Sequence, residues 1–255
     1  MPTTDITRAG LLSLWQKAIR RDPDLHEVAG QLSTLPDLAA ATLRFANSAY
    51  MGATYPVGSV LQSVVRVGCR AVGSLAAARL GRSLTEGLGN DDSWNRALIT
   101  GRGAKVIGRM VGLPYQDTEE LFVAGLFAEV GYLVSAADDG RYRQWMEEAR
   151  PRILDDADLL AQERAVFGVS HVERASAVLD EWNLPPRLGL AIAGHHSPAT
   201  DFERVLAAAM TLPESIPCIQ GSWEVALEAL GLDGHEAFIR REATIFATTT
   251  AAAFG

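Results

Sequence analysis

Apolar residues return every three to four positions along almost the whole chain. Leu38/Ala39, Thr42/Leu43 and Phe45/Ala46 form one such stripe, and Val57, Val60/Leu61, Val64 and Val67 another. A longer one runs through Trp94, Leu98, Gly101, Ala104, Ile107 and Val111, and a fourth through Val172, Ala175, Leu179 and Trp182. This is the period of a helix with one buried face, and no stretch alternates with period two for the length of a strand. Abundant alanine and few runs of β-branched residues agree, since alanine loses no side-chain entropy in a helix. The expected class is all-α, a multi-helix bundle.

Helix punctuation divides the bundle. Asp117 with Glu120, and Ser170 with Glu173, have the spacing of capping boxes, in which a side-chain oxygen satisfies an orphan N–H of the first turn. Gly168 ends one helix and Leu184-Pro-Pro186 follows the next. A Gly/Asp-rich stretch over Glu86–Asp92 separates an N-terminal helical half from a C-terminal one, and Asp138-Asp-Gly140 makes a second break. Beyond Pro213 two more helices are expected, around Trp223–Leu230 and Gly234–Thr250.

With 255 residues, 48% of them hydrophobic, the chain is long enough to bury a core without staples. Its net charge of −8 argues against a nucleic-acid partner, which would need clustered lysine and arginine. The only adjacent basic pairs are Arg20-Arg21 and Arg240-Arg241. Cys69 and Cys218 form no CxxC pattern, so a reduced, cytoplasmic chain is the simpler reading, with one disulfide the most they allow. The N-terminal residues lack the basic-then-apolar order of a signal peptide, and no run reaches the ~20 apolar residues of a membrane span.

Chemistry has few places to reside. There is no HExxH, GxSxG, phosphate-binding loop or dinucleotide fingerprint. Gly101-Arg-Gly103 lies within a helical stripe and reads as close helix packing, and Cys69 as a lone structural thiol. His26 and His235 look like surface residues. His171 follows the cap residue Ser170, at a helix start where the dipole disfavours the charged imidazole. His195 and His196 are adjacent, and on a continuing helix would point ~100° apart. They can face one centre only if the helix stops there, as Pro198 suggests. Neutral imidazoles joined by a carboxylate such as Glu129 could hold a first-row metal, although a histidine pair without a third strong ligand is more often a packed feature.

Several segments carry a family resemblance. Leu35-Pro-Asp-Leu-Ala-Ala-Ala-Thr-Leu-Arg-Phe-Ala-Asn-Ser-Ala-Tyr50, with Asn47 and Ser48, resembles the signature of the HDOD family, relatives of the HD-type metal-dependent phosphohydrolases. Val57 to Gly68 resembles that family's next segment. Glu163 to His171 is similar to its ExxxFGxSH, Glu181 to Pro185 (with Trp182) to its WxLP, and Ala191 to Pro198 to its AIxxHHxP. The likeness spans residues 12–212 in family order, implying a helical half at 12–86, a degenerate HD-like half at 93–212 and a C-terminal extension at 213–255.

The resemblance also implies a lost metal site. Gly125-Leu-Phe-Ala-Glu-Val-Gly131 stands where HD hydrolases carry the His-Asp pair, so Ala128 replaces the histidine and Glu129 the aspartate. Arg96 replaces an upstream histidine, and Ala209-Met210 falls where a late aspartate would be. A permanent guanidinium there would repel a divalent ion and pair with Glu129. The vestigial pocket is therefore expected to comprise Arg96, Ala128, Glu129, His171, His195 and His196. No metal is expected; if one binds, His171, His195 and Glu129 are its ligands. The implied function is a non-catalytic signalling or regulatory domain without a cofactor. Its partners would be proteins of a bacterial signalling pathway or a second copy of the chain, with no nucleic acid and no membrane. Two alternatives are a divergent metal-dependent phosphohydrolase and a sensor binding a nucleotide in the old pocket.

Overall fold

The computed structural model describes residues 2–85, 91–149, 152, 153, 156–182, 184–212 and 223–254. Among the described residues every regular element is helical. The all-α expectation holds. The chain divides into two compact units, Met1–Ser83 with Thr244–Gly255, and Leu84–Ala243. Cys218 and most of the Glu86–Asp92 connection lie outside the described residues; Asp91 and Asp92 already belong to a helix.

The first unit contains α1 (Pro2–Ala18), α2 (Leu25–Ser33), α3 (Pro36–Ala46), a 3-10 turn (Ala49–Met51), α4 (Val60–Val67) and most of α5 (Cys69–Thr85). Asp24 caps α2 by accepting the Glu27 N–H, and Pro36 opens α3, where its missing N–H is no loss. Leu14, Val28, Leu32, Leu38 and Val64 are buried to within 1%. Each contributes about 1.5–3 kcal/mol of transfer free energy. Leu61, placed in the apolar stripe by spacing, is instead 38% exposed, because α4 turns a narrower face inward, centred on Val64.

The signature residues of this unit do structural jobs. Asn47 ends α3 and clamps the following loop: its Nδ2 donates to the Val57 carbonyl at 2.9 Å and its Oδ1 accepts the Val57 N–H at 2.8 Å. Ser48 Oγ donates to the Phe45 carbonyl. Gly68, at φ +88°, lets α4 and α5 meet at a 104° bend. The last residues, from Thr244, are grouped with this unit. Phe246 packs edge-on against Phe45 and Tyr50, with centroids 5.8 and 5.9 Å away, and Arg44 donates to the Ala253 carbonyl.

The second unit holds α6 (Asp91–Met110), α7 (Tyr115–Phe127), α8 (Val130–Asp138), α9 (Gly140–Glu148), α10 (Asp156–Phe167), α11 (His171–Glu181), α12 (Pro186–Gly194), α13 (Asp201–Met210), α14 (Trp223–Glu228) and the first part of α15 (Glu236–Phe254). Glycines set the α6–α7 crossing. A Cβ on Gly101 would sit 2.7 Å from the Phe122 carbonyl, and one on Gly125 2.8 Å from the Gly101 Cα. The same crossing buries an ion pair, Lys105 Nζ to Glu119 Oε2 at 2.6 Å. Burial pushes the Lys105 ammonium down to about 8 against the pull of Glu119.

Two expectations need correction. Asp117 and Glu120 do not form a capping box. The helix starts after Pro114, and both carboxylates bind Arg187 of α12, at 2.8 and 3.2 Å. The stretch Tyr115–Asp138 is also long and apolar enough to span a membrane by length and composition, contrary to the sequence reading. Sixty-seven per cent of its most apolar window is buried inside the fold, and the helix changes over at Ala128 and Glu129. Its apolar surface is core.

Candidate functional site

Three local designs bring the histidines together. The first is the start of α11, where Ser170 and Glu173 form the expected capping box. The cap fixes His171 as the first helical residue, its ring fully buried. The second is the end of α12. The helix stops at Gly194, so His195 and His196 follow in a turn rather than on a continuing helix. Their ring centroids lie 3.9 Å apart. The third is Gly131 in α8. A methyl group there would overlap the His171 carbonyl oxygen, so only glycine lets α8 lie directly on the start of α11. Tyr132, the next residue, stacks on the His171 ring at 3.9 Å and 12°.

Each ring is held by its Nδ1 atom. His171 Nδ1 meets Glu163 Oε2 at 2.7 Å, and the same oxygen accepts the His171 backbone N–H at 2.9 Å. Tyr142 donates its hydroxyl to the other oxygen at 2.6 Å. Burial alone would raise the Glu163 carboxyl, but the bonds from His171 and Tyr142 outweigh it and hold the group below the ordinary glutamate range. The Tyr142 phenol is pushed far up by burial and by the Glu163 carboxylate. His196 Nδ1 lies 2.8 Å from Asp156 Oδ2, and His195 Nδ1 donates to the Ile192 carbonyl. Burial, then the neighbouring His196 and His171, keep His195 well below the ordinary histidine value, so it is neutral.

The Nε2 atoms face inward. His171 Nε2 and His196 Nε2 are 3.0 Å apart, and His195 Nε2 is buried without a hydrogen-bond partner. One nitrogen from each of the three rings lies within 4.8 Å of the others, and this is the one such metal-capable group among the described residues. Three imidazoles at this spacing match the donor set of a borderline first-row metal.

Of the other residues of the expected pocket, Glu129 is not one of this group and Ala128 has no ligand atom to offer. Ala128 is fully buried at the end of α7. Glu129 sits half-buried between α7 and α8, and its carboxylate makes no hydrogen bond or ion pair among the described residues. Its charge is felt at the Tyr142 phenol. Arg96 donates to Ser93 Oγ at 3.0 Å on its own helix. The expected Arg96–Glu129 ion pair is not among those found between the described residues. Glu129 likewise is not grouped with His171 and His195; the third residue of that group is His196.

Glu163, Asp156, Tyr132 and Tyr142 carry roles that the sequence reading did not assign. Glu163 offered a signal, standing eight residues before His171 in the same segment. Asp156 and the tyrosines arrive through tertiary packing and offered none. Trp182 closes α11 and meets Phe127 edge-on at 5.5 Å, and Pro185 precedes the first turn of α12, so both fix the α11–α12 corner that delivers the histidine pair.

Solved structures share this fold. A protein of Shewanella amazonensis SB2B, provisionally named a phosphohydrolase, matches with a TM-score of 0.73 at 19% identity, over 96% of this chain and 93% of its own. A protein of Marinobacter aquaeolei VT8, provisionally named a signal transduction protein, matches with a TM-score of 0.70 at 22% identity, over 94% of this chain and 59% of its own. The chain thus spans about three-fifths of that relative. An HDOD domain protein of unknown function from Geobacter sulfurreducens matches with a TM-score of 0.60 at 21% identity, over 96% of this chain and 90% of its own. At these identities the likeness speaks for the fold. No curated protein matches. The profile of the HDOD domain covers residues 10–198, about three-quarters of the sequence, and the chain belongs to the HDOD domain family.

Proposed function

We propose that this chain is a non-catalytic regulatory domain that acts by binding other proteins of a bacterial signalling pathway. The observation that carries the reading is the state of the HD box. Ala128 offers no ligand, and the Glu129 carboxylate lies outside the histidine cluster. Metal-dependent phosphoryl chemistry needs an activated water and a charge clamp on the transferring group. Here His171 is fully buried beneath Tyr132, and the nearby carboxylates Glu163 and Asp156 are engaged at the outer nitrogens of the rings. The net charge of −8 directs the partner away from nucleic acid, and a second copy of the chain is one candidate.

The test is turnover. Purified protein, as isolated and supplied with Mn(II), Fe(II) or Zn(II), is assayed against phosphomonoesters, nucleotides and cyclic dinucleotides, with His171→Gln as the blank. No hydrolysis above the blank is expected. Turnover that disappears in His171→Gln would make the chain a divergent phosphohydrolase. A thermal shift with one nucleotide but no turnover would make it a sensor.

A further inference from the structure

We propose that His171, His195 and His196 bind one divalent transition-metal ion of the zinc class, as a tri-imidazole site fastening the start of α11 to the turn after α12. The site rests on the regulatory reading only for its purpose, as a fastener or an input rather than a Lewis acid.

The argument turns on where the ring protons sit. Each Nδ1 faces an acceptor that has no hydrogen to give: the Glu163 carboxylate, the Asp156 carboxylate and the Ile192 carbonyl. Each Nδ1 therefore carries a hydrogen, which in a neutral ring leaves Nε2 as a lone pair. Two of those lone pairs, on His171 and His196, face each other at 3.0 Å. They repel unless an electrophile lies between them. The third, His195 Nε2, is buried on a residue only 5% exposed and has no donor. Buried polar atoms without partners are rare and call for an explanation.

A single shared proton would answer the His171–His196 pair and leave His195 Nε2 unsatisfied. A metal answers all three. Zinc–imidazole bonds of ~2.0–2.1 Å in a tetrahedral site put neighbouring ligand nitrogens ~3.3–3.4 Å apart, so the pair stands a few tenths of an ångström short of ligand spacing. The third ring, within 4.8 Å, closes by side-chain rotation. Imidazole donors select zinc, cobalt, nickel or copper over magnesium and calcium, which take oxygen ligands. A carboxylate or carbonyl behind each ring is the outer-shell arrangement that orients metal-binding histidines and raises their basicity. His196, its side chain 13% exposed, provides the way in.

The full chain is stripped with EDTA and titrated with Co(II), followed by visible d–d absorption, with Zn(II) as competitor and metal content measured after dialysis. One equivalent of Co(II), displaced by Zn(II), is expected. His195→Gln and the less buried His196→Gln should each lose it while keeping the helical circular dichroism of the parent. Asp156→Asn should weaken binding about 10–100-fold through the outer shell, and Glu129→Ala should leave it unchanged. The proposal is overturned if the parent retains no metal, or if both histidine variants bind as the parent does. Failure here leaves the regulatory reading intact, whereas metal binding accompanied by turnover would overturn that reading and leave the site standing.

Discussion

His171 Nδ1 and Glu163 Oε2 lie 2.7 Å apart with both side chains fully buried. Around this contact the second unit joins α10, α11 and, through Tyr142, α9. A buried carboxylate survives only when its lone pairs are answered, and Glu163 accepts three hydrogen bonds, from the His171 ring, the His171 backbone and the Tyr142 hydroxyl.

Removing the acceptor should therefore cost more than neutralising it. Glu163→Ala strands three buried donors and should destabilise by about 3–5 kcal/mol. Glu163→Gln keeps one carbonyl oxygen and should cost less, about 1–3 kcal/mol. Urea denaturation of the three proteins measures the order. Equal losses below about 1 kcal/mol in both variants would mean that the contact does not hold the helices together.

Acid should loosen this unit, starting in the histidine range. The His195 value is lowered in the folded state from an ordinary 6.5, so below pH 6.5 the unfolded chain takes up a proton that the folded chain refuses. Stability then falls with decreasing pH, at up to ~1.4 kcal/mol per pH unit for this one group. The depressed Glu163 carboxyl adds a second loss as pH drops below its ordinary 4.5. Unfolding free energies measured from pH 8 to pH 5 in EDTA should show the first slope, and His195→Gln should flatten it. An unchanged slope in that variant would assign the effect to other groups.

Gly131 should tolerate no side chain. A methyl group there overlaps the His171 carbonyl, so Gly131→Ala must push α8 off α11 and should cost about 3 kcal/mol or more. Gly30 in α2 is the control: a Cβ there meets nothing within 4 Å, and Gly30→Ala should stabilise by about 0.5–1 kcal/mol through helix propensity. Thermal melts of the two variants should shift in opposite directions. A mild effect at Gly131 would mean that the helices can part without loss.

Much of this was legible from local pattern. Helical periodicity gave the class, and the Ser170–Glu173 spacing located the start of α11 within a residue, because a cap is set by its own four residues. The stop before Pro198 likewise foretold that His195 and His196 could converge. What depended on tertiary contact was not legible. Asp117 and Glu120 have capping-box spacing, yet Arg187, 70 residues away from Asp117, claims both. The resemblance pairs Arg96 with Glu129 at a lost metal site, but nothing in either segment fixes the direction of their side chains. Thr200 and Glu203 form a capping box that spacing alone could have found.

The Lys105–Glu119 pair at the α6–α7 crossing allows a sharper test of what buried charge does here. Burial lowers the Lys105 ammonium from an ordinary 10.5 to about 8, so desolvation already exceeds what Glu119 returns. Removing the partner should be costly. Glu119→Gln leaves a buried ammonium without its counter-charge and should lose about 3–5 kcal/mol, while Lys105→Met takes from the buried Glu119 the cation 2.6 Å away and should cost less, since Arg109 also faces it. Removing both should be cheap. Lys105→Met combined with Glu119→Leu replaces the ions by apolar groups of similar volume, and should fall within about 1 kcal/mol of the parent or exceed it. Arg109, 3.7 Å from Glu119 and 44% exposed, loses little in that double variant because water solvates it. A double-mutant cycle by urea denaturation reads the coupling. Additive losses would show that the two charges do not depend on each other, and that the Gly101–Gly125 contact alone sets how closely the helices approach.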